Sequence, residues 1–232
     1  MANVKGGWIK LSPELKATFS YFKWLFQEIA NHPINVTQLV PHLLHIQDFT
    51  DACKYGAGGV PVWIIPLTNG TNWYIYWAVD FPQTVVDQLN ADIISINDLE
   101  MAGILLGWFT FEHLLPMLQH VQSGLLCDNS STVSWTRTFT TRSFQSGHLL
   151  RTLALRKQIC WSAPLLVISI AGLLHDMADI ALRFSSSTAL QSHSPSLDSY
   201  FNTHIKLTSS WKEFHFPQKL TSRMMSSLLG TQ

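Results

Sequence analysis

Four carboxylates stand out because each sits where an acid needs a reason to be. Asp51 lies in the strand-like run HIQDFTDAC, and Glu100 in the first turn of an apolar helix, NDLEMAGILLGW. Asp128 ends the short apolar run GLLCD, and Asp179 lies in HDMADIALR. Ionised carboxylates are seldom buried without a partner. Glu100 shares a helix face with Gly103 and Gly107, three and seven residues on, and glycines there let a helix sit close to a sheet. Acids gathered this way repel one another, and hard divalent cations are the usual remedy. Each acid also has a structural reading. Asp128 is a strand-end acid ahead of a helix, Glu100 favours a helix macrodipole, and Asp179 can pair with Arg183 at i,i+4.

The elements that must position these acids are legible in outline. Ser12-Pro13-Glu14 is a helix start, and that helix runs to about Ala30 with a face of Phe19, Phe22, Leu25, Phe26 and Ile29. Residues 44–53 and 60–67 read as a hairpin turning through Gly56, Gly58 and Gly59, and 72–79 as a third strand. Residues 80–94, with Pro82, read as an irregular connection. A long helix follows from about Asn97 to His120, then a strand over 123–128. Asn129-Ser130-Ser131 are capping residues that open the next helical segment. Residues 146–161 read as a helix, 164–170 as a buried strand and 174–184 as a helix. Seven serines fall within 185–199, a linker composition, and a short helix is expected over Pro217–Leu229. Strands in succession followed by alternation imply a mixed α/β sheet with helices on both faces.

Composition limits the rest. Hydrophobic residues are 47% of the 232 and charged residues 13%, with a net charge of zero. That neutrality hides segregation. No Lys or Arg lies between Lys54 and Arg137, and no acid between Asn129 and His175, where Arg137, Arg142, Arg151, Arg156 and Lys157 fall. Such blocks suit an acidic metal site beside a groove for a polyanion. The longest apolar stretch, Ile159–Leu174, is broken by Pro164 and falls short of the ~18–20 residues of a membrane span, so no membrane is expected. MANVKGGWIK lacks the apolar core of a signal peptide, giving an intracellular expectation, cytoplasm or nucleus. Cys53, Cys127 and Cys160 show no CxxC spacing and read as reduced, mostly buried thiols.

FTDACKYGAGGV, INDLEMAGILLGW, CDNSSTVSWTRT and ADIALR resemble, in order, the four blocks of ribonuclease H domains, specifically those in reverse transcriptase polyproteins of LTR-type retroelements. The resemblance covers about residues 45–184. It implies a ribonuclease H-like mixed sheet of five strands, and metal-dependent endonucleolytic hydrolysis of the RNA strand of RNA–DNA hybrids. Asp51, Glu100, Asp128 and Asp179 are then both the catalytic residues and the ligands of two Mg²⁺ ions, with Mn²⁺ as a substitute. A hybrid is read by shape, phosphates and 2′-hydroxyls. On that reading Asn129, Ser130 and Ser131 touch backbone or sugar, Arg137, Arg142 and Arg151 touch phosphates, and His175 is an accessory to product release. The segment SIAGLLHDMAD departs from the family pattern, with His175-Asp176 where an Asn is usual, and this puts turnover in question rather than fold.

Three regions follow: a connection-like segment over 1–43, the ribonuclease H-like domain over 44–184, and a Ser-rich linker with a mostly irregular, short helical tail over 185–232. These flanks make the rest of a reverse transcriptase polyprotein the natural partner. The alternative function is a catalytically decayed scaffold or nucleic-acid-binding remnant, favoured by the lack of a strongly basic face. A third reading, His175-Asp176 as an HD phosphohydrolase motif, needs an all-helical domain, and the β-rich stretch 44–79 argues against it.

Overall fold

The computed structural model describes residues 12–31, 44–63, 75–114, 123–159, 166–172, 178, 181–182 and 212–230. Helix α1 spans Pro13–Asn31, and the Ser12 hydroxyl accepts the Leu15 N–H at 3.3 Å as the expected N-cap. Strand β1 (Ile46–Cys53) pairs antiparallel with β2 (Gly56–Trp63), which pairs antiparallel with β3 (Ile75–Asp80). Two helices follow, α2 (Gln83–Asn90) and α3 (Ile96–Leu114). Strand β4 (Ser123–Cys127) runs parallel to β1, and helices α4 (Ser130–Thr138) and α5 (Phe144–Ile159) precede β5 (Leu166–Ser169), parallel to β4. Strand β6 (Lys212–Phe214) lies parallel to β3, and α6 covers Gln218–Leu229. The sheet order is β5-β4-β1-β2-β3-β6.

This is the expected mixed α/β architecture with three corrections. The sheet has six strands rather than five, because β6 comes from the region read as tail. Phe214 and Phe216 pack against the core, and Met224 and Leu228 of α6, the expected short helix, are within it, so long-range packing draws this tail into the domain. Residues 83–90 are helical, not irregular. Pro82 is the residue before the helix, where its missing N–H costs nothing, and Val85 and Val86 bury the inner face. Thirdly, the glycines after β1 belong to β2 and not to the turn, which is only Lys54-Tyr55. A Cβ on Gly59 would lie 2.5 Å from the Trp77 ring, and one on Gly58 would lie 2.8 Å from the Leu182 backbone. These glycines let other groups approach the sheet closely.

Helix α3 lies across one face of the sheet. Ile46, Asp48, Thr50 and Ala52 of β1 are buried and the alternate residues only half-buried, as strand pleating requires. Residues 98–111 of α3 are buried all round, because α4, α5 and α6 cover the sides that the sheet does not. The closest approach is at Gly107, where a Cβ would come within 2.8 Å of Leu125 Cδ2 and Thr50 Cγ2. At Gly103 the nearest atom would be 3.7 Å away, an ordinary contact. Gly107→Val is therefore expected to cost about 1–3 kcal/mol in urea unfolding. Gly103→Ala, in a helix interior, should be neutral or gain up to about 1 kcal/mol. Equal costs at both positions would contradict this packing. On the opposite face sit the helical residues Ala178, Ala181 and Leu182, all buried, beside Gly58.

Phe19, Phe22 and Phe26 of α1 stay exposed, while Tyr21 makes the contact with α5, donating from its hydroxyl to the Arg151 carbonyl at 3.3 Å. No helix among the described residues is long and apolar enough to cross a membrane. The expected strand residues 64–67 and 72–74 lie outside the described residues, as do 115–120 of the long helix and the 185–199 linker.

Candidate metal centre

Strands β1 and β4 are parallel neighbours, so their carboxyl ends finish side by side, and the first turn of α3 passes over that edge. Asp51 is near the end of β1, opposite Gly58 of β2. Register partners project to the same face, so Asp51 points away from the face that carries Asp48 and Thr50. Its Oδ1 accepts the Ala52 N–H at 2.9 Å. Asp128 follows the last residue of β4 and is exposed. Glu100, 6% exposed, reaches the same edge from α3.

Ligand atoms of Glu100, Cys127 and Asp128 all lie within 4.8 Å of one another. The Cys127 thiol donates to Glu100 Oε2 at 3.7 Å and accepts the Asn129 N–H at 3.4 Å. Asp51 stands outside that tight group but acts on it electrostatically. Burial, then the charges of Asp51 and Asp128, push the Glu100 carboxyl up to about 9, against smaller opposing effects of Cys127 and the Ala52 N–H. Burial and then the Glu100 charge push the Cys127 thiol up as well. Without a cation, Glu100 thus holds its proton at neutral pH.

The donor set fits a hard divalent cation: carboxylates from three elements, one of them kept protonated by its neighbours' charge. Space is kept too, since a Cβ on Gly172, just beyond β5, would lie 3.1 Å from Asp128 Oδ2. The Cys127 sulfur is a softer donor, which Mg²⁺ passes over in favour of oxygen.

Of the four expected acids, Glu100 and Asp128 lie together, and Asp51, outside their group, acts on Glu100 through its charge. Asp179 and His175 lie outside the described residues. Asn129 caps α4, accepting the Thr132 N–H at 3.0 Å and donating to Asn97 Oδ1 at 2.7 Å. Ser130 is exposed at the start of α4. Arg137 Nε donates to the Val167 carbonyl of β5 at 3.3 Å. Arg142 is exposed in the α4–α5 connection, and the Arg151 guanidinium lies 6.0 Å from the Tyr21 ring centre. Arg137 and Arg151 are thus held by different elements, β5 and α1.

Two acids have roles that the spacing did not single out. Asp98 is 3% exposed and holds the start of α3 against the start of α5. It accepts the Ser95 N–H at 2.8 Å and the Ser95 hydroxyl at 2.7 Å, together with the hydroxyls of Ser143 and Ser146. Burial pushes it up, but these donors win and hold it below the ordinary range. The signal was in the sequence: Ser95-x-x-Asp98 ahead of an apolar run is a capping box. Asp48, three residues before Asp51, is fully buried; its Oδ2 accepts the Trp77 indole N–H at 2.9 Å and its Oδ1 has no hydrogen-bond partner.

No family model matches the sequence, and no curated protein matches it. Solved structures do. LC11-RNase H1, in complex with an RNA/DNA hybrid, is 13% identical with a TM-score of 0.42, over 60% of this chain and 94% of its own. RNase H1 from the halophilic archaeon Halobacterium salinarum NRC-1 is 8% identical with a TM-score of 0.40, over 60% and 92%. The N-terminal RNase H domain of a Mycobacterium tuberculosis protein is 13% identical with a TM-score of 0.38, over 59% and 94%. Likenesses this distant leave the chemistry to be read from the chain's own residues.

Proposed function

We propose that this chain is a metal-dependent ribonuclease H-like endonuclease that hydrolyses the RNA strand of RNA–DNA hybrids, as the nuclease domain of an LTR-type retrotransposon reverse transcriptase. The observation that carries the reading is the gathering of Glu100 and Asp128 at one sheet edge, with the charge of Asp51 acting on the same point. The four ordered sequence blocks support the family and the polyprotein context.

Asp51, Glu100 and Asp128 would hold the cations, with Asp179 as the fourth ligand the resemblance implies. Paired divalent cations supply an activated water for in-line attack on the phosphodiester and stabilise the leaving oxygen. The chain's own residues prepare the place. The Ala52 N–H fixes one oxygen of Asp51, and Gly172 leaves Asp128 uncovered. Glu100 gives up its proton when positive charge arrives. On this reading exposed Ser130 and Arg142 would make backbone and phosphate contacts, Asn129, Arg137 and Arg151 would contribute from their structural anchors, and His175 would assist release.

The test is direct. The full chain, given a labelled hybrid with Mg²⁺ or Mn²⁺, cuts the RNA strand and leaves single-stranded RNA and duplex DNA intact. Silence under both metals, with hybrid binding retained, would select the decayed nucleic-acid-binding remnant instead.

A further inference from the structure

Away from the sheet edge, α3, α5 and α6 line a cleft of about 360 Å³ that combines an apolar floor with a rim carrying three cations. The floor is Leu105, Phe109, Leu220 and Met224; Leu105, Phe109 and Met224 are almost entirely buried. The rim carries Arg156, Lys219 and Arg223, and no acid is among the described residues that line the cleft. Three of the chain's fifteen basic residues meet here. The Glu112 carboxylate accepts the Trp108 indole N–H at 2.6 Å and pairs with Arg156 at 3.7 Å, so it offsets part of that arginine's charge and leaves Lys219 and Arg223 as the main cations of the rim. Arg156 also lies over the Phe109 ring, 5.4 Å from its centre, which places the charge directly above apolar surface.

The first turn of α6 adds to the same field. Pro217 precedes the helix with no side-chain cap, no acid sits in its first turn, and Pro217, Lys219 and Leu220 all line the cleft. The helix N-terminus, two exposed cations and a half-buried arginine thus surround an opening whose bottom offers hydrocarbon. A wholly apolar guest would leave the rim unused, and an inorganic anion would leave the floor wet. The volume lies at the small-molecule end of ligand sites.

We propose that this cleft binds a small amphipathic anion: an apolar body seated on Phe109, Leu220 and Met224, with a single carboxylate or phosphate held by Arg156, Lys219 and Arg223. The site is independent of the metal centre and of the nuclease reading. Its effect on the fold is to pin α6 against α3 and α5.

Decanoate, decanol and 1-naphthalenesulfonate test the idea by calorimetric titration of the full chain, below micelle-forming concentrations. Decanoate or the sulfonate is expected to saturate one site per chain, with decanol at least tenfold weaker. Which anion binds more tightly separates an acyl-chain guest from an aromatic one. Lys219→Gln/Arg223→Gln, both at exposed positions, should weaken the anion at least tenfold and leave decanol unchanged. Added sodium chloride should weaken the anion alone, a readout that needs no variant. Equal binding of decanol and decanoate, an unaffected double variant, or no saturation by either anion would overturn the proposal.

Discussion

Asp51→Asn and Asp128→Asn should each lower cleavage of a hybrid by about a thousandfold or more, under Mg²⁺ and Mn²⁺ alike. Each change keeps the side chain's shape and removes one negative charge from the point where divalent cations would sit. The same substitutions carry a second expectation, opposite in sign, that a general loss of structure would not produce. In the metal-free protein the charges of Asp51 and Asp128 push against Glu100. Removing either relieves that repulsion once Glu100 ionises, so at a pH near 9 the metal-free melting temperature should hold or rise while activity disappears. Loss of activity together with a lower melting temperature would point to a structural role for the acid. Retained activity would remove the residue from the site.

The second large effect lies in the core. Asp48 is fully buried, and burial pushes its carboxyl from 3.8 up to about 8, only partly offset by the Trp77 indole N–H and the Val60 N–H. The folded protein therefore keeps a proton that the unfolded chain releases. Stability from this group is complete below the unfolded value of 3.8 and is lost as pH rises toward about 8. Each pH unit in that window costs about 1.4 kcal/mol, hence about 3 kcal/mol between pH 5 and pH 7. Asp48→Asn keeps an oxygen for the indole and removes the titration. Urea unfolding at several pH values should show the variant gaining on the natural protein as pH rises. Parallel curves would mean that Asp48 is already ionised in the fold.

These two aspartates show what could be read from sequence and what could not. Both stand in one strand, three residues apart, in a run that local pattern identifies as β. Strand pleating sends them to opposite faces, Asp51 to the site edge and Asp48 under α3, where the Trp77 indole from another strand meets it. Nothing in the spacing says which face will be covered. Helix starts were legible for the same local reason that Asp98 should have been: Ser12 and Asn129 cap the helices they precede, as Ser95 does with Asp98. The glycines of β2 misled because glycine marks both turns and close approaches, and here Trp77 and Leu182 supply the approach. Strand β6 was obscured for a different reason: three residues pairing with a strand far back in the chain have no local signature, whereas helix α6 was legible and only its burial against α5 was not.

Titration of Mn²⁺ into the full chain, in two buffers of different ionisation heat at a pH near neutrality, tests the convergence of the acids most directly. Glu100 is protonated in the metal-free state with its carboxyl near 9. Uptake should therefore release about one proton per chain, and tighten as pH rises toward that value. Glu100→Gln should weaken uptake and abolish the proton release. No uptake by the natural chain, or uptake without proton release that Glu100→Gln leaves untouched, would contradict the account.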